Sequence, residues 1–410
     1  MQYKCVDDTY RNAAKLLIRL LSGAMNSCDP GVLISYSGEE FAAAADIAFR
    51  NGVDGLAFCA FKYMPNPPQG EVYEALKKGW ERTCYRQLCY DEERGEILKE
   101  MQRAGLSYLP LKGILHSEYY PEPGMRFMGD NDILYGFTSV SESGQVCRAG
   151  KNETEISETQ TRASDIMRGI MLDRGYGFID HDGSIHDSFI KKPIFCFEMH
   201  RELISRTNKF GFYYADPWSR AIHGEDGCFS FSDEDEYIYN LIHEIKHIES
   251  CGSGIRFFAD IYVFLKKKGK KLDWKYILRE LESLGLVQTE ERLRNIALAA
   301  FGTPDNMTPE QEEELLFHMG CGMYGTVETR TKILLDRLKK EKGTSGLRLN
   351  YIKSRLFLPD EVNENAFPRI YSNRFLRPFI PLYRVLSAVI RRPEIIFTEI
   401  RELFSSDKKS

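Results

Sequence analysis

The stretch LPLKGILHSEYYPEPGMRFMGDNDILYG, residues 109–136, is where the rhythm of the chain changes. Upstream, apolar residues recur at helical spacing; here they gather into short runs divided by turn residues. LSYLPLKG, residues 106–113, reads as a strand entering a glycine turn. ILHSEYYP reads as a short helix stopped by Pro121, and RFMGDNDILYG, residues 126–136, as a second strand. After a helical DIMRGIMLDRGY, the stretch KPIFCFEMHREL, residues 192–203, alternates like another strand. This strand–turn–helix–strand–helix–strand order predicts a small mixed α/β sheet unit of roughly a hundred residues.

Helices are expected on both sides of that unit. AAKLLIRLLSGAM and EEFAAAADIAFRNGVDGLA carry apolar residues three and four apart, and residues 71–105 form a long amphipathic pattern that Gly79 is expected to break. Residues 1–104 are thus a helical region and residues 105–225 the sheet core. Within that core, residues 139–164 are rich in Ser, Thr, Glu and Gly, and read as a mobile polar loop. Residues 226–345 return to helix, Ser232 serving as an N-cap ahead of an acidic first turn. Residues 346–410 form a basic, aromatic-rich helical tail. Between Arg369 and Arg392 the tail holds six arginines and no acid, which suits a weak contact with an anionic partner or membrane surface. No internal repeat is present.

The chain has 410 residues, enough for two or three domains, and a net charge of -5 that gives no overall cationic footprint for nucleic acid. Its 10 cysteines form no CxxC pair, and no secretory or membrane-spanning apolar run occurs. A cytoplasmic protein with free thiols is expected, which makes the sequon at Asn152 incidental.

The densest chemical signal is Asp130-Asn131-Asp132. On a strand, residues i and i+2 share a face, so the two carboxylates repel unless a cation lies between them. Oxygen ligands of this kind suit Mg²⁺ or Mn²⁺ carrying substrate phosphates. Upstream, Lys112-Gly113 closes a strand and opens a helix, an arrangement that can hold phosphate, and Arg126 offers a planar fork. Glu198 and His200, two apart on a later strand, would share a face. Glu198 could supply the third carboxylate of a two-metal site, although a strand-end salt bridge with Arg201 explains the pair as well.

These residues resemble the uncharacterised nucleotidyltransferase family of the DNA polymerase beta-like superfamily. The likeness rests on Leu111-Lys112-Gly113, Tyr120-Pro121, Arg126, Asp130 with Asp132, and Glu198 with His200. It continues through LIHEIKH, GIRFFADIYVFL and GCGMYGT. The resemblance implies an α+β fold, with a small mixed-sheet polymerase beta-like core flanked by helical regions. It also implies transfer of a nucleotidyl group from an NTP to a hydroxyl-bearing acceptor, with Asp130, Asp132 and Glu198 as ligands to Mg²⁺ or Mn²⁺. Lys112, Gly113 and Arg126 would then engage nucleotide phosphates. A protein, sugar or small molecule fits the acceptor better than a long nucleic acid, given the acidic pI. Asn131 departs from the usual apolar residue, residues 139–164 exceed the usual connection, and Lys112-Gly113-Ile114 replaces the superfamily's Gly-Ser turn. A catalytically silent nucleotide-binding or interaction protein is therefore the alternative.

LIHEIKHIES, residues 241–250, raises a third reading, because His243-Glu244-x-x-His247 matches the zinc-peptidase signature. No third histidine follows shortly after His247, a distant glutamate such as Glu280 or Glu282 could serve by spacing alone, and Lys246 would place a cation beside the ion. The two histidines instead share a helix face with Glu236, Tyr239 and Asn240, a polar stripe expected to line the cleft. Arg256 and Asp260, one turn apart, are expected to join it alongside His200.

Overall fold

The structure, a computed structural model, describes residues 8–31, 36–141, 144–179, 184–358, 360, 362–363 and 367–405. Four helices come first: α1 (Asp8–Asn26), α2 (Gly38–Asn51), α3 (Asp54–Cys59) and α4 (Glu71–Arg103). Local chemistry sets the ends of α2. Ser37 and Glu40 form a reciprocal capping box at its start, and Gly52 closes it in the left-handed conformation.

Helix α4 runs unbroken through Gly79, contrary to the break expected there. The glycine marks a close approach. A Cβ at this position would meet Asp54 Oδ2 at 2.1 Å and Phe49 at 3.2 Å. Asp54 is itself buried and paired with Arg82 at 3.1 Å, so it has little room to retreat. Gly→Ala normally stabilises a helix interior by ~1 kcal/mol. Here Gly79→Ala should instead destabilise by about 1–3 kcal/mol through overpacking, seen as a lower midpoint in urea unfolding.

The sheet unit follows: β1 (Ser107–Pro110), the single-turn α5 (Gly113–His116) and β2 (Asn131–Gly136). The described residues of 139–164 are not the polar loop expected. They contribute the hairpin β3 (Thr138–Val140) and β4 (Val146–Arg148) and the first half of α6 (Glu153–Asp173). The Asn152 side chain caps α6 by accepting from the Glu155 N–H, while Ala163, Met167 and Met171 bury one narrow stripe. The other faces stay wet, which is why the segment looks like loop in composition. Then come β5 (Gly177–Ile179), β6 (His186–Lys191) and β7 (Phe195–His200).

Five strands form one mixed sheet in the order β1-β2-β7-β6-β5, with β2 and β7 parallel and the other neighbours antiparallel. The fold class is α+β, as expected. One face, through Ile133, Tyr135, Phe189, Phe197 and Met199, packs on Tyr90, Ile97 and Met101 of α4 and on the α6 stripe. The opposite face turns toward helices that follow the short pair β8 (Ile222–His223) and β9 (Phe229–Ser230).

Those helices are α7 (Asp233–Ser250), α8 (Ile255–Lys268), α9 (Trp274–Ser283), α10 (Val287–Gly302), α11 (Pro309–Cys321), α12 (Val327–Lys342) and α13 (Leu347–Leu356). Ser232 caps α7 by accepting from the Asp235 N–H, and four acids occupy its first turn. Apolar residues of α1, α2 and α3 share a continuous core with α7, α8, α10 and α11. The two helical stretches, far apart in sequence, therefore close around each other and hold the sheet against α7. Among the described residues, no helix is long and apolar enough to cross a membrane.

Candidate active site

The parallel register of β2 and β7 aligns Asp132 with Glu198, and Asn131 with Phe197. Because side chains alternate along a strand, the two acids stand abreast on one face while Asn131 and Phe197 turn to the other. Strand β6 continues the polar row, with Ser188 opposite Glu198 and His186 opposite His200. Asp130 lies one residue before β2 and borders the same cavity of about 660 Å³, which α7 and α8 close from the far side. That volume suits a nucleotide-sized ligand.

The loop carrying Asp130 is anchored from α4. Arg86 donates to the carbonyls of Met128 and Gly129, both at 2.6 Å, and Tyr90 Oη donates to Gly129 at 3.2 Å. Asn131, which departs from the family's usual apolar residue, faces away from the acids. It is fully buried, and Arg94 donates to its Oδ1 at 2.9 Å. A polar pair replaces apolar packing there.

Asp132 accepts from Lys112 Nζ at 2.9 Å and lies 2.7 Å from His200 Nε2. Burial pushes its carboxyl up, but Lys112 and His200 outweigh this and hold it well below the usual carboxylate range. Lys112 reaches in from a backbone φ of +47°, which is uncommon for a residue with a Cβ. Glu198 behaves oppositely. Burial, and then the charges of Asp132 and Asp130, push it up to about 7. Asp130 is raised by burial and by Asp132. Two carboxyls that resist ionisation, crowded against a third that is ionised, are the electrostatic condition a divalent cation relieves.

The donor set fits such a cation. Asp130, Asp132 and Glu198 offer oxygens. Among the described residues, His186, Glu198 and His200 form a group whose ligand atoms all lie within 4.8 Å of one another. His186 was not foreseen from the sequence. Its only signal is the hairpin pattern IHDSFIKKPIFCFEMH, which sets it across from His200.

The wall opposite the sheet is α7. His243 and His247 line the cavity with their Nε2 atoms 3.3 Å apart. Both imidazoles are lowered, first by burial; the Lys112 and Lys246 charges add to this for His243. Lys246, likewise unforeseen as a lining residue, is lowered to about 8 by burial and by Lys112. These histidines lack the partners a zinc peptidase needs. Glu244 accepts from Ser253 at 2.9 Å, and Glu280 accepts from Arg220 at 2.8 Å and Tyr213 at 2.9 Å. The predicted stripe is also shorter than expected: Glu236 turns away to Tyr119 and Lys268. Asn240 borders the cavity and lies 2.8 Å from His116 Nε2.

Arg126 borders the cavity, yet its fork is occupied. Nε and Nη2 donate to the two Asp260 oxygens at 2.8 and 2.9 Å, and Tyr120 Oη donates to the same carboxylate at 2.8 Å. Burial opposes it, but Arg126 and His116 hold Asp260 well below the usual range. Gly113 lies against this pair: a Cβ there would come within 2.8 Å of Arg126 Nη1. Arg256 donates to the Phe127 carbonyl at 3.1 Å, and its charge helps stabilise ionised Asp130.

No curated protein and no solved structure matches the chain. A family profile described as an uncharacterised nucleotidyltransferase matches residues 37–146 and 160–302, spanning more than half of the chain. The matched segments hold β2 with its aspartates, β7 with Glu198, and the α7 and α8 walls. The chain belongs to the uncharacterised nucleotidyltransferase family.

Proposed function

We propose that this cleft transfers an NMP from an NTP to a hydroxyl-bearing acceptor, the acceptor oxygen bonding the α-phosphorus as the α–β bond breaks and pyrophosphate leaves. The reading rests on one observation: Asp132 and Glu198 in register on adjacent parallel strands, with Asp130 beside them, inside a cavity of about 660 Å³. Asp130, Asp132 and Glu198 hold Mg²⁺ or Mn²⁺, and the adjacent imidazoles of His186 and His200 tilt the preference toward Mn²⁺. A divalent ion in such a site neutralises phosphate charge and lowers the pKa of an attacking hydroxyl. Lys112 and Arg256 supply fixed positive charge for the triphosphate, and Gly113 lets the backbone approach it. Arg126 acts as a positioning residue through Asp260. His243, Lys246 and His247 face the sheet from α7 and contact the base or the acceptor. The acceptor class favoured is a protein, a sugar or a small metabolite.

The test is transfer of label from α-³²P NTPs to pooled acceptors of these three classes, with Mg²⁺ or Mn²⁺ present or chelated. Cation-dependent labelling is expected. A silent nucleotide-binding protein is the second reading, and one observation favours it: Lys112 and His200 already neutralise Asp132 without a cation. Calorimetric NTP binding without label transfer to any acceptor would support that second reading.

The raised Glu198 gives the site a pH signature. Below about 7 a cation must displace its proton, so Mn²⁺ affinity should climb by up to about tenfold per pH unit toward 7 and level off above it. For the metal-free protein the sign is opposite. The unfolded chain loses this proton near 4.5 while the folded one keeps it to about 7, so stability should fall as pH rises through that window. Calorimetric titration and urea unfolding across the window check both. A flat Mn²⁺ affinity would remove Glu198 from the ligand set.

A further inference from the structure

The tail beyond α13 carries an inverted amphipathic helix. In the helix Ile380–Arg391, the outward positions are Leu382, Tyr383, Val385, Leu386, Val389 and Ile390, all exposed, with Ile390 at 78%. Its inward positions include Arg384, which donates to the Leu356 carbonyl at 3.2 Å, along with Ser387 and Ala388. An amphipathic helix on a globular protein normally turns its apolar stripe to the core. This one turns it to solvent.

The exposed stripe extends on both sides. Phe375 is 85% exposed ahead of the helix, with Phe379 also exposed. In the next helix, Pro393–Ser405, Phe397, Ile400 and Phe404 fall three and four apart and are exposed, Phe397 at 78%. The same helix does have a seat on the protein. Leu403 packs with Leu335, Leu338 and Tyr351, and Glu399 pairs with Arg355 at 2.6 Å. The tail is therefore docked by one side while a second, apolar side is left uncovered. So large a run of aromatic and aliphatic side chains marks an interaction surface.

We propose that this face lies in the interfacial zone of an anionic lipid bilayer, holding the protein on the membrane surface without crossing it. The surrounding charge selects that occupant. Arg374, Arg377 and Arg392 are exposed along the strip, and residues 369–392 contain no acid. Two copies placed face to face would bring like-charged arginine rims together, whereas acidic headgroups answer them. Exposed phenylalanines and a tyrosine beside arginines are the composition of a helix lying in the headgroup zone. The surface is linked to the cleft by α12, since Arg401 of the tail pairs with Glu328 at 3.3 Å and Arg337 donates to the Glu249 carbonyl of α7 at 2.7 Å.

Vesicle co-sedimentation of the full chain tests this, with phosphatidylcholine vesicles alone or with about 30% phosphatidylglycerol. Binding to the anionic vesicles is expected, at least about tenfold stronger than to neutral ones and weakened by salt. Leu386→Glu/Ile390→Glu should reduce it at least about tenfold, and so should Arg374→Ser/Arg392→Ser at two exposed positions. Absence of binding to anionic vesicles overturns the proposal, as does binding unchanged in the arginine variant. A dimer in sedimentation equilibrium that Leu386→Glu/Ile390→Glu dissolves, without vesicle binding, would assign the face to a second copy instead.

Discussion

Asp132→Asn is expected to lower cation-dependent label transfer by at least about 10³-fold, the largest functional effect of any single change. The substitution keeps the shape and removes the charge that the site is organised around. It also removes the counter-charge of Lys112, whose side chain is only 15% exposed, and weakens the acceptor that faces the buried His200. Leaving that lysine uncompensated should cost about 3 kcal/mol of folding stability. Activity and stability would fall together, so Asp132→Asn alone cannot separate a catalytic role from a structural one. Asp130→Asn can. Asp130 borders the same cavity, but its carboxyl is crowded by Asp132 rather than supported by it. Its replacement should lower transfer by at least about 10²-fold while leaving the urea midpoint unchanged or higher. Wild-type transfer by Asp130→Asn would withdraw the metal-binding assignment for the pair.

The largest stability effect is expected at Arg126 and Asp260. Both are buried, and their two parallel hydrogen bonds tie the segment after α5 to α8. Removing one partner leaves a buried charge unanswered. Arg126→Ala and Asp260→Ala should each destabilise by about 3–5 kcal/mol, whereas Arg126→Met/Asp260→Leu should recover most of that loss. Urea unfolding of the two alanine variants together with Arg126→Ala/Asp260→Ala completes a double-mutant cycle. A coupling energy near zero would mean that the pair does not hold this wall. Because Gly113 abuts Arg126, the single variants should also raise KM for the NTP more than they lower kcat, as expected of a residue that positions rather than reacts.

The sequence was most legible where apolar patterning and turn chemistry agreed. β1, β2 and β7 stood out because each is a short apolar-rich run with a glycine turn or a helical run beside it. β6 did not stand out. Its buried positions include Asp187 and Ser188, and Asp187 is satisfied by Tyr135 and Arg201 rather than by water. A strand whose inner face is partly polar hides its alternation. The start of α6 was hidden for a related reason, since one narrow stripe of Ala163, Met167 and Met171 is all it buries. Gly79 misled because its reason lies in Asp54, on another helix.

The candidate site was legible as residue types and less so as partners. Asp130, Asp132, Glu198, His200, Lys112 and Gly113 do line one cavity together with His243 and His247. What each touches depends on tertiary contacts that spacing along the chain does not encode. Arg126 read as a phosphate fork because Asp260, its partner, is 134 residues away. His186 escaped notice because only the β6–β7 pairing brings it beside Glu198. The HExxH match, by contrast, was complete as a pattern but poor as a site, because Glu244 and Glu280 are engaged elsewhere.

The most direct test is a crystal soaked with Mn²⁺ and an NTP whose α–β bridge resists cleavage, with data collected for manganese anomalous scattering. A peak among Asp130, Asp132 and Glu198, in contact with the nucleotide phosphates and with Lys112 or Arg256 on the triphosphate, is the predicted result. An ordered nucleotide with no manganese at those carboxylates, or manganese bound instead by His243 and His247, would contradict a metal-dependent nucleotidyl-transfer site.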